Sequence, residues 1–155
     1  VNTVYRTWDW PADAARLAER LVADLPALEL DFIPISLERL EAELLRRFSD
    51  PAQLTAPEAR TWYEGASAYF GEVMVRGWGK WGWSTEWDDT DPPEVMPPEE
   101  TDLEPLSPWE AVLRAVSSRT GDELITVWCR WDDAMMDWVA ESVEDADWEP
   151  YQDAD

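Results

Sequence analysis

The chain contains no histidine and a single cysteine. Without an imidazole it cannot build a Ser-His or Cys-His nucleophile pair, a His-ligated zinc or iron site, or a His acid-base catalyst, so whole enzyme classes drop out. Cys129 has no second cysteine to pair with, and a chain without a disulfide framework is expected in a reducing cytoplasm. No apolar run approaches the roughly 18 residues needed to cross a bilayer. The opening VNTVYRTWDWP lacks the basic, apolar, small-residue order of a signal peptide, which also points to a soluble cytoplasmic protein. Phosphate-cradling loops are missing as well. Neither GxxxxGK(S/T) nor GxGxxG occurs, and the glycines between Trp78 and Trp83 lack the strand-then-helix setting those motifs require.

Positive charge is scarce. Lys and Arg total 12 against 35 Asp and Glu, for a net charge of −23. The imbalance is uneven: residues 1–80 carry 13 acids and 9 bases, and residues 81–155 carry 22 acids and 3 bases. Such repulsion opposes compaction but favours fast approach of a basic partner. It also argues against direct contact with nucleic acid, whose phosphates need a basic surface, and against anionic membranes.

What is present suits a folded domain. At 155 residues the chain fits one core, and with 45% hydrophobic residues and 12 Trp it is far from a disordered polymer. Residues 1–145 read as a single acidic globular domain and 146–155 as a solvated acidic tail. No internal repeat is evident.

The pattern predicts an α+β, mostly helical fold: about five helices, with a short two-stranded β-hairpin between the third and fourth. Asp9 and Pro11 open the first helix, Ala14, Leu17, Ala18, Leu21, Val22 and Leu25 repeat along it, and Pro26 ends it. Ser36 is expected to cap the second, in which Leu37, Leu40, Leu44, Leu45 and Phe48 form one stripe and Arg39, Glu43, Arg46 and Arg47 face solvent. Ser49, Asp50 and Pro51 close it. Thr55 and Glu58 fit a capping box for the third, whose apolar face runs from Ala59 to Met74. Gly65 and Gly71 inside that helix suggest close approach of another backbone, and Gly77 and Gly79 stop it.

Trp81, Trp83, Thr85 and Trp87 alternate as in a strand, and Val95 and Met96 can pair with it as an edge. Ser107, Pro108 and Glu110 open a fourth helix, closed by Gly121, and Thr120 with Glu123 can open the last. In it Leu124, Val127, Trp128, Trp131, Met135, Trp138 and Val139 repeat at helical spacing; the rival reading is a strand through Ile125 to Trp131, that run being rich in β-formers.

The chemistry-bearing clusters each have a plain alternative. Asp132, Asp133 and Asp137 superficially resemble the aspartate-rich magnesium motif of terpene synthases, yet the chain is short and lacks a second motif, so a solvated face is the better reading. Asp88, Asp89, Asp91 and Glu94 lack the spacing of an EF-hand loop. Cys129, beside Arg130 and Trp128, reads as a small core residue. Trp62, Trp109, Trp128, Trp131 and Trp138 read as core, whereas Trp78, Trp81, Trp83 and Trp87 suit either packing or an interface.

The run Tyr69, Phe70, Gly71, Glu72, Val73, followed by Gly77, Gly79, Lys80, Trp81, Gly82 and Trp83, resembles a pattern in small uncharacterised bacterial domains, where a helix feeds a Trp-bearing strand. Loosely, the resemblance covers Ser36 to Trp138. Such domains are similar to immunity and accessory proteins of toxin systems, which implies an α+β fold and brings no catalytic residues.

The expectation is therefore a non-catalytic acidic binding protein, without cofactor or metal, that captures a basic protein partner in the manner of an inhibitor or immunity protein. The alternatives are an accessory or structural subunit, or a small-ligand-binding or biosynthetic protein with a Trp-lined pocket. The expected contact surface is the segment from Glu86 to Glu104, with nine acids and no base. Its candidates are Glu86, Asp88, Asp89, Asp91, Glu94, Glu99, Glu100 and Asp102, with Trp81, Trp83 and Trp87 as apolar anchors.

Overall fold

A computed structural model describes residues 10–78, 81–84 and 92–145. Among them the fold is mostly helical, with six α-helices and one small antiparallel sheet. Asp9, Gly79, Lys80, Thr85 and the acidic segment after Asp145 lie outside the described residues.

Helix α1 (Trp10–Asp24) carries Pro11 in its first turn and buries Trp10, Ala14, Ala18 and Leu21. The chain then passes through a 3-10 turn at Pro26–Leu28, because Pro26 cannot continue the helix. Residues 29–35 follow as a clamped connection. Glu29 and Phe32 sit in the left-handed region, with φ of 51° and 64°. Arg39 donates to the carbonyls of Leu28 and Glu29, both at 2.7 Å. The Phe32 N–H donates to the Tyr69 hydroxyl at 2.8 Å, and the Phe32 ring lies between Tyr69 and the Arg76 guanidinium. Arg39 is thus part of the fold rather than solvated.

Helix α2 (Ser36–Arg47) does not use Ser36 as its cap. Its first turn is closed by bonds to the carbonyls of Ile33 and Pro34, which frees the Ser36 hydroxyl to meet Tyr69 at 2.6 Å. Glu43 is also buried, held by Arg46 and Arg47. Asp50 and Pro51 do more than end this helix. Asp50 accepts the Gln53 N–H at 3.0 Å and opens a separate short helix, α3 (Pro51–Thr55). That start places Thr55 at a helix end, where its hydroxyl donates back to the Pro51 carbonyl at 3.2 Å, and the Thr55–Glu58 capping box does not form.

After a 3-10 turn at Pro57–Ala59, α4 (Arg60–Gly77) runs through the middle of the molecule. Every residue from Gly65 to Met74 is buried, including Ser67, Ala68 and Glu72, so the expected single apolar face is instead a helix covered all round. Its neighbours are α1, α3, α5 and the hairpin. The sheet pairs β1 (Gly82–Trp83) with β2 (Val95–Met96), Gly82 opposite Met96 and Trp83 opposite Val95. Because α3 adds a helix, this hairpin lies between the fourth and fifth helices, not the third and fourth.

Gly65 and Gly71 of α4 admit side chains rather than a backbone. A Cβ on Gly71 would fall inside the Trp83 indole, whereas one on Gly65 would meet the flexible Cδ1 of Leu21 at 3.3 Å. Trp83 also donates its indole N–H to the buried Glu72 carboxylate at 2.9 Å. Two chains of aromatic contacts grow from here: Trp83 to Trp10 to Trp109, with centroids 5.6 and 5.2 Å apart, and Trp78 to Trp81 to Trp131, at 6.4 and 5.1 Å.

Helix α5 (Pro108–Ser118) starts as its sequence predicts, with Ser107 accepting the Glu110 N–H at 3.3 Å. It ends earlier than Gly121, at Arg119, whose φ is 56°. The Arg119 guanidinium donates to the carbonyls of Leu45 and Phe48 at 2.7 and 2.8 Å, satisfying the open end of α2.

Helix α6 (Glu123–Asp145) is continuous, so the strand alternative for Ile125–Trp131 falls. The Thr120–Glu123 capping box does not form either. The N–H groups of Glu123 and Leu124 donate to Glu41 of α2, at 3.1 and 2.9 Å. Glu41 is fully buried. A carboxylate there complements the positive end of the helix and ties two distant segments together.

Two outcomes follow. Gly71→Ala is expected to lower stability by about 1–3 kcal/mol in urea unfolding, since the indole has nowhere to go, while Gly65→Ala stays within about 1 kcal/mol of wild type. Equal effects at the two positions would show that the Trp83 packing is not what fixes Gly71.

Glu41→Ala, which leaves two N–H groups open in the core, is expected to cost about 2–4 kcal/mol, and Glu41→Gln less. Burial pushes the Glu41 carboxyl above its ordinary value of 4.5, against the lowering by the Leu124 and Glu123 N–H groups. Folding therefore takes up a proton between the two values. That stabilisation is full below 4.5 and is lost as pH rises through the folded-state value. Urea titrations should show wild type gaining on Glu41→Gln as pH falls from about 7 toward 4.5; a gap moving the other way would contradict the burial of Glu41.

Candidate functional site

The described part of the acidic segment begins at Pro92. Glu94 belongs to the hairpin: its carbonyl accepts the Ser84 N–H at 2.7 Å and its N–H donates to the Ser84 hydroxyl at 3.0 Å. On the other edge of β2, Val95 exchanges backbone bonds of 2.8 and 2.9 Å with Leu106. This pair closes residues 96–105 into a pinned loop. Within it the Pro98 carbonyl accepts both the N–H and the hydroxyl of Thr101, at 3.2 and 2.8 Å. The tip leaves Glu99, Glu100, Asp102 and Glu104 exposed.

Helix α6 passes opposite this tip. A groove of about 270 Å³ separates Glu100, Thr101, Asp102 and Leu103 from Ala134, Asp137, Trp138 and Glu141. Four carboxylates line it and no base does, while Leu103 and Trp138 supply apolar walls. Asp137, Trp138 and Glu141 were not legible as site residues. Asp137 read as a solvated cluster and Trp138 as core, and their approach to residues 100–103 is a tertiary contact with no local signal.

The other candidates divide clearly. Trp81 and Trp83 are 4% and 9% exposed, so packing, not an interface, accounts for both indoles. Glu86, Trp87, Asp88, Asp89 and Asp91 lie outside the described residues. Cys129 is exposed rather than buried, because Trp131 and Val127 take the core side of α6. Asp132 is half-buried and accepts the Trp78 indole N–H at 2.9 Å, while Asp133 and Asp137 are exposed. Among the described residues no three acidic or thiol side chains converge to hold a metal ion. No described helix is long and apolar enough to cross a membrane.

Most described arginines are engaged internally. Arg16, Arg20, Arg39, Arg46, Arg47, Arg60, Arg76 and Arg114 lie within 4.0 Å of a carboxylate, and Arg119 binds carbonyls. Seven of these eight pair with acids within the first 80 residues, and Arg114 pairs with Glu123 in the second half. A larger concavity, about 610 Å³, opens between the end of α2 and the start of α4, lined by Arg47, Phe48, Asp50, Glu58 and Trp62 among others. The Arg47 guanidinium stacks 4.4 Å above the Trp62 ring. Trp62, read as core, is therefore half-buried in a cavity wall.

Comparison with protein-family models, curated proteins and solved structures returned no match.

Proposed function

We propose that the chain is a non-catalytic acidic binding protein that captures a basic protein partner, as an inhibitor or immunity-type protein does. The observation that carries this reading is the groove between the 100–103 turn and α6, where four carboxylates meet two apolar walls with no base among them. A charged approach combined with an apolar seat suits a lysine- or arginine-rich surface, the charges setting the rate of encounter and the apolar contacts the residence time. Cytoplasmic residence, suggested by the lone cysteine, fits the same reading. A second reading is favoured by the 610 Å³ concavity, whose Trp62 and Arg47 suit a flat small ligand.

Affinity purification from the native cell is expected to enrich a basic protein. With that protein in hand, replacing Glu99, Glu100 and Asp102 by Gln, Gln and Asn should slow association and flatten its salt dependence, since exposed charges act over about 8 Å at physiological ionic strength. The control replaces Glu19, Glu29 and Glu38 by Gln, removing the same charge from exposed positions on α1, before α2 and on α2. Equal losses in both variants would reduce the site to bulk acidity.

A further inference from the structure

The outer side of α6 carries a second feature that the acidic groove does not use. Cys129, Met136 and Val139 are exposed on it, the last two at 57% and 40%, and partly buried Ile125 lies in line with them. The positions 125, 129, 132, 136 and 139 alternate steps of four and three, which is the spacing of a seam on which another helix can lie. At about 1.5 Å per residue the seam is about 21 Å long, or two heptads. One seam position, Asp132, is polar and already holds the Trp78 indole. Beside the seam, exposed Asp133, Asp137 and Glu141 recur every four residues as an acidic ridge.

We infer that this face of α6 is a docking surface for an amphipathic basic helix of a partner protein. The partner lays apolar side chains on Met136 and Val139 and points lysines or arginines at the ridge Asp133, Asp137 and Glu141. Charge selects this occupant over a second copy of the chain. Helix α6 holds seven acids and one base, Arg130, so two α6 seams brought together would set acidic ridges against each other. A basic helix meets the same ridge with opposite charge and continues toward Glu100 and Asp102 across the groove. The inference rests on the reading of the chain as a captor of basic partners and names the contact surface.

The test uses a labelled 18-residue peptide with Leu at the two seam positions of each heptad and Lys flanking them. Its companion has the same composition in an order that breaks the heptad. The full chain is expected to bind the first peptide saturably, raise its helicity by circular dichroism, and bind the scrambled peptide at least about ten-fold more weakly. Met136→Ser with Val139→Ser, both exposed and checked for unchanged urea unfolding, should weaken the first peptide about ten-fold or more. Asp133→Asn, Asp137→Asn and Glu141→Gln should flatten the salt dependence. Equal binding of the two peptides, or no change in the Ser variant, overturns the seam, as does a wild-type dimer in sedimentation that the Ser variant abolishes. A purified basic partner captured equally by wild type and the Ser variant overturns the seam while leaving the capture reading intact. Seam-dependent peptide binding with no basic partner in the cell does the reverse.

Discussion

Helix α4 is buried around its circumference from Gly65 to Met74, and the need to cover it on every side arranges the other elements. A helix covered all round needs a neighbour on every side of its middle. Helix α1 lies along one flank, close enough that a Cβ on Gly65 would meet Leu21, and the Trp83 indole fills the space a Cβ on Gly71 would need on another. Helix α5 takes a third, tied by the Tyr63 hydroxyl donating to the Trp109 carbonyl at 3.0 Å. Two of the polar groups trapped by this arrangement are matched: Glu72 accepts from Trp83 and Arg76, and Tyr69 joins Ser36 and the Phe32 backbone, whereas the buried Ser67 hydroxyl has no hydrogen-bond partner among the described residues. Burial pushes the Tyr69 phenol up, which keeps it a neutral bridge between α4 and the clamped connection before α2.

Helix α6 belongs to a second layer, and its attachment differs in kind. Val127, Trp131 and Met135 pack inward, but its start is set by a carboxylate reaching from α2. A fully buried acid is costly unless its lone pairs are taken up, and here the open N–H groups of a helix end take them up. One interaction thereby removes two problems, an unpaired acid and an uncapped helix. The outward side of α6 is left carrying exposed Met136 and Val139 beside an acidic ridge. The same asymmetry appears in the charges. Arginines pair with neighbouring acids in the first half, and the acids of the 99–104 turn and of α6 have few bases near them in sequence.

Local signals located most of the elements. Pro26, Ser107 with Pro108, the paired Trp83 and Val95, and the helical repeat from Leu124 to Met135 all place elements where the structure has them, since each acts through bonds or periodicity within a few residues. The errors share a cause. Ser36, Thr55 and Thr120 are good caps by type, yet the first yields its place to Ile33 and Pro34, the second is caught at the end of α3, and the third is displaced by Glu41, which lies 82 residues before the Glu123 N–H it accepts. Which partner satisfies a helix end is a competition, and a sequence shows only the local competitors.

The acidity and its bias to the second half, the absence of imidazole, the helical class and the Trp-rich core are fixed by composition and periodicity, which do not depend on how segments meet. The tertiary structure alone decided that Trp81 and Trp83 point inward, that Cys129 points outward, and that the 100–103 turn faces Asp137 and Glu141 across a groove. Each of these depends on which elements become neighbours. That is settled by covering α4 and seating α6 on Glu41, through contacts between residues dozens of positions apart.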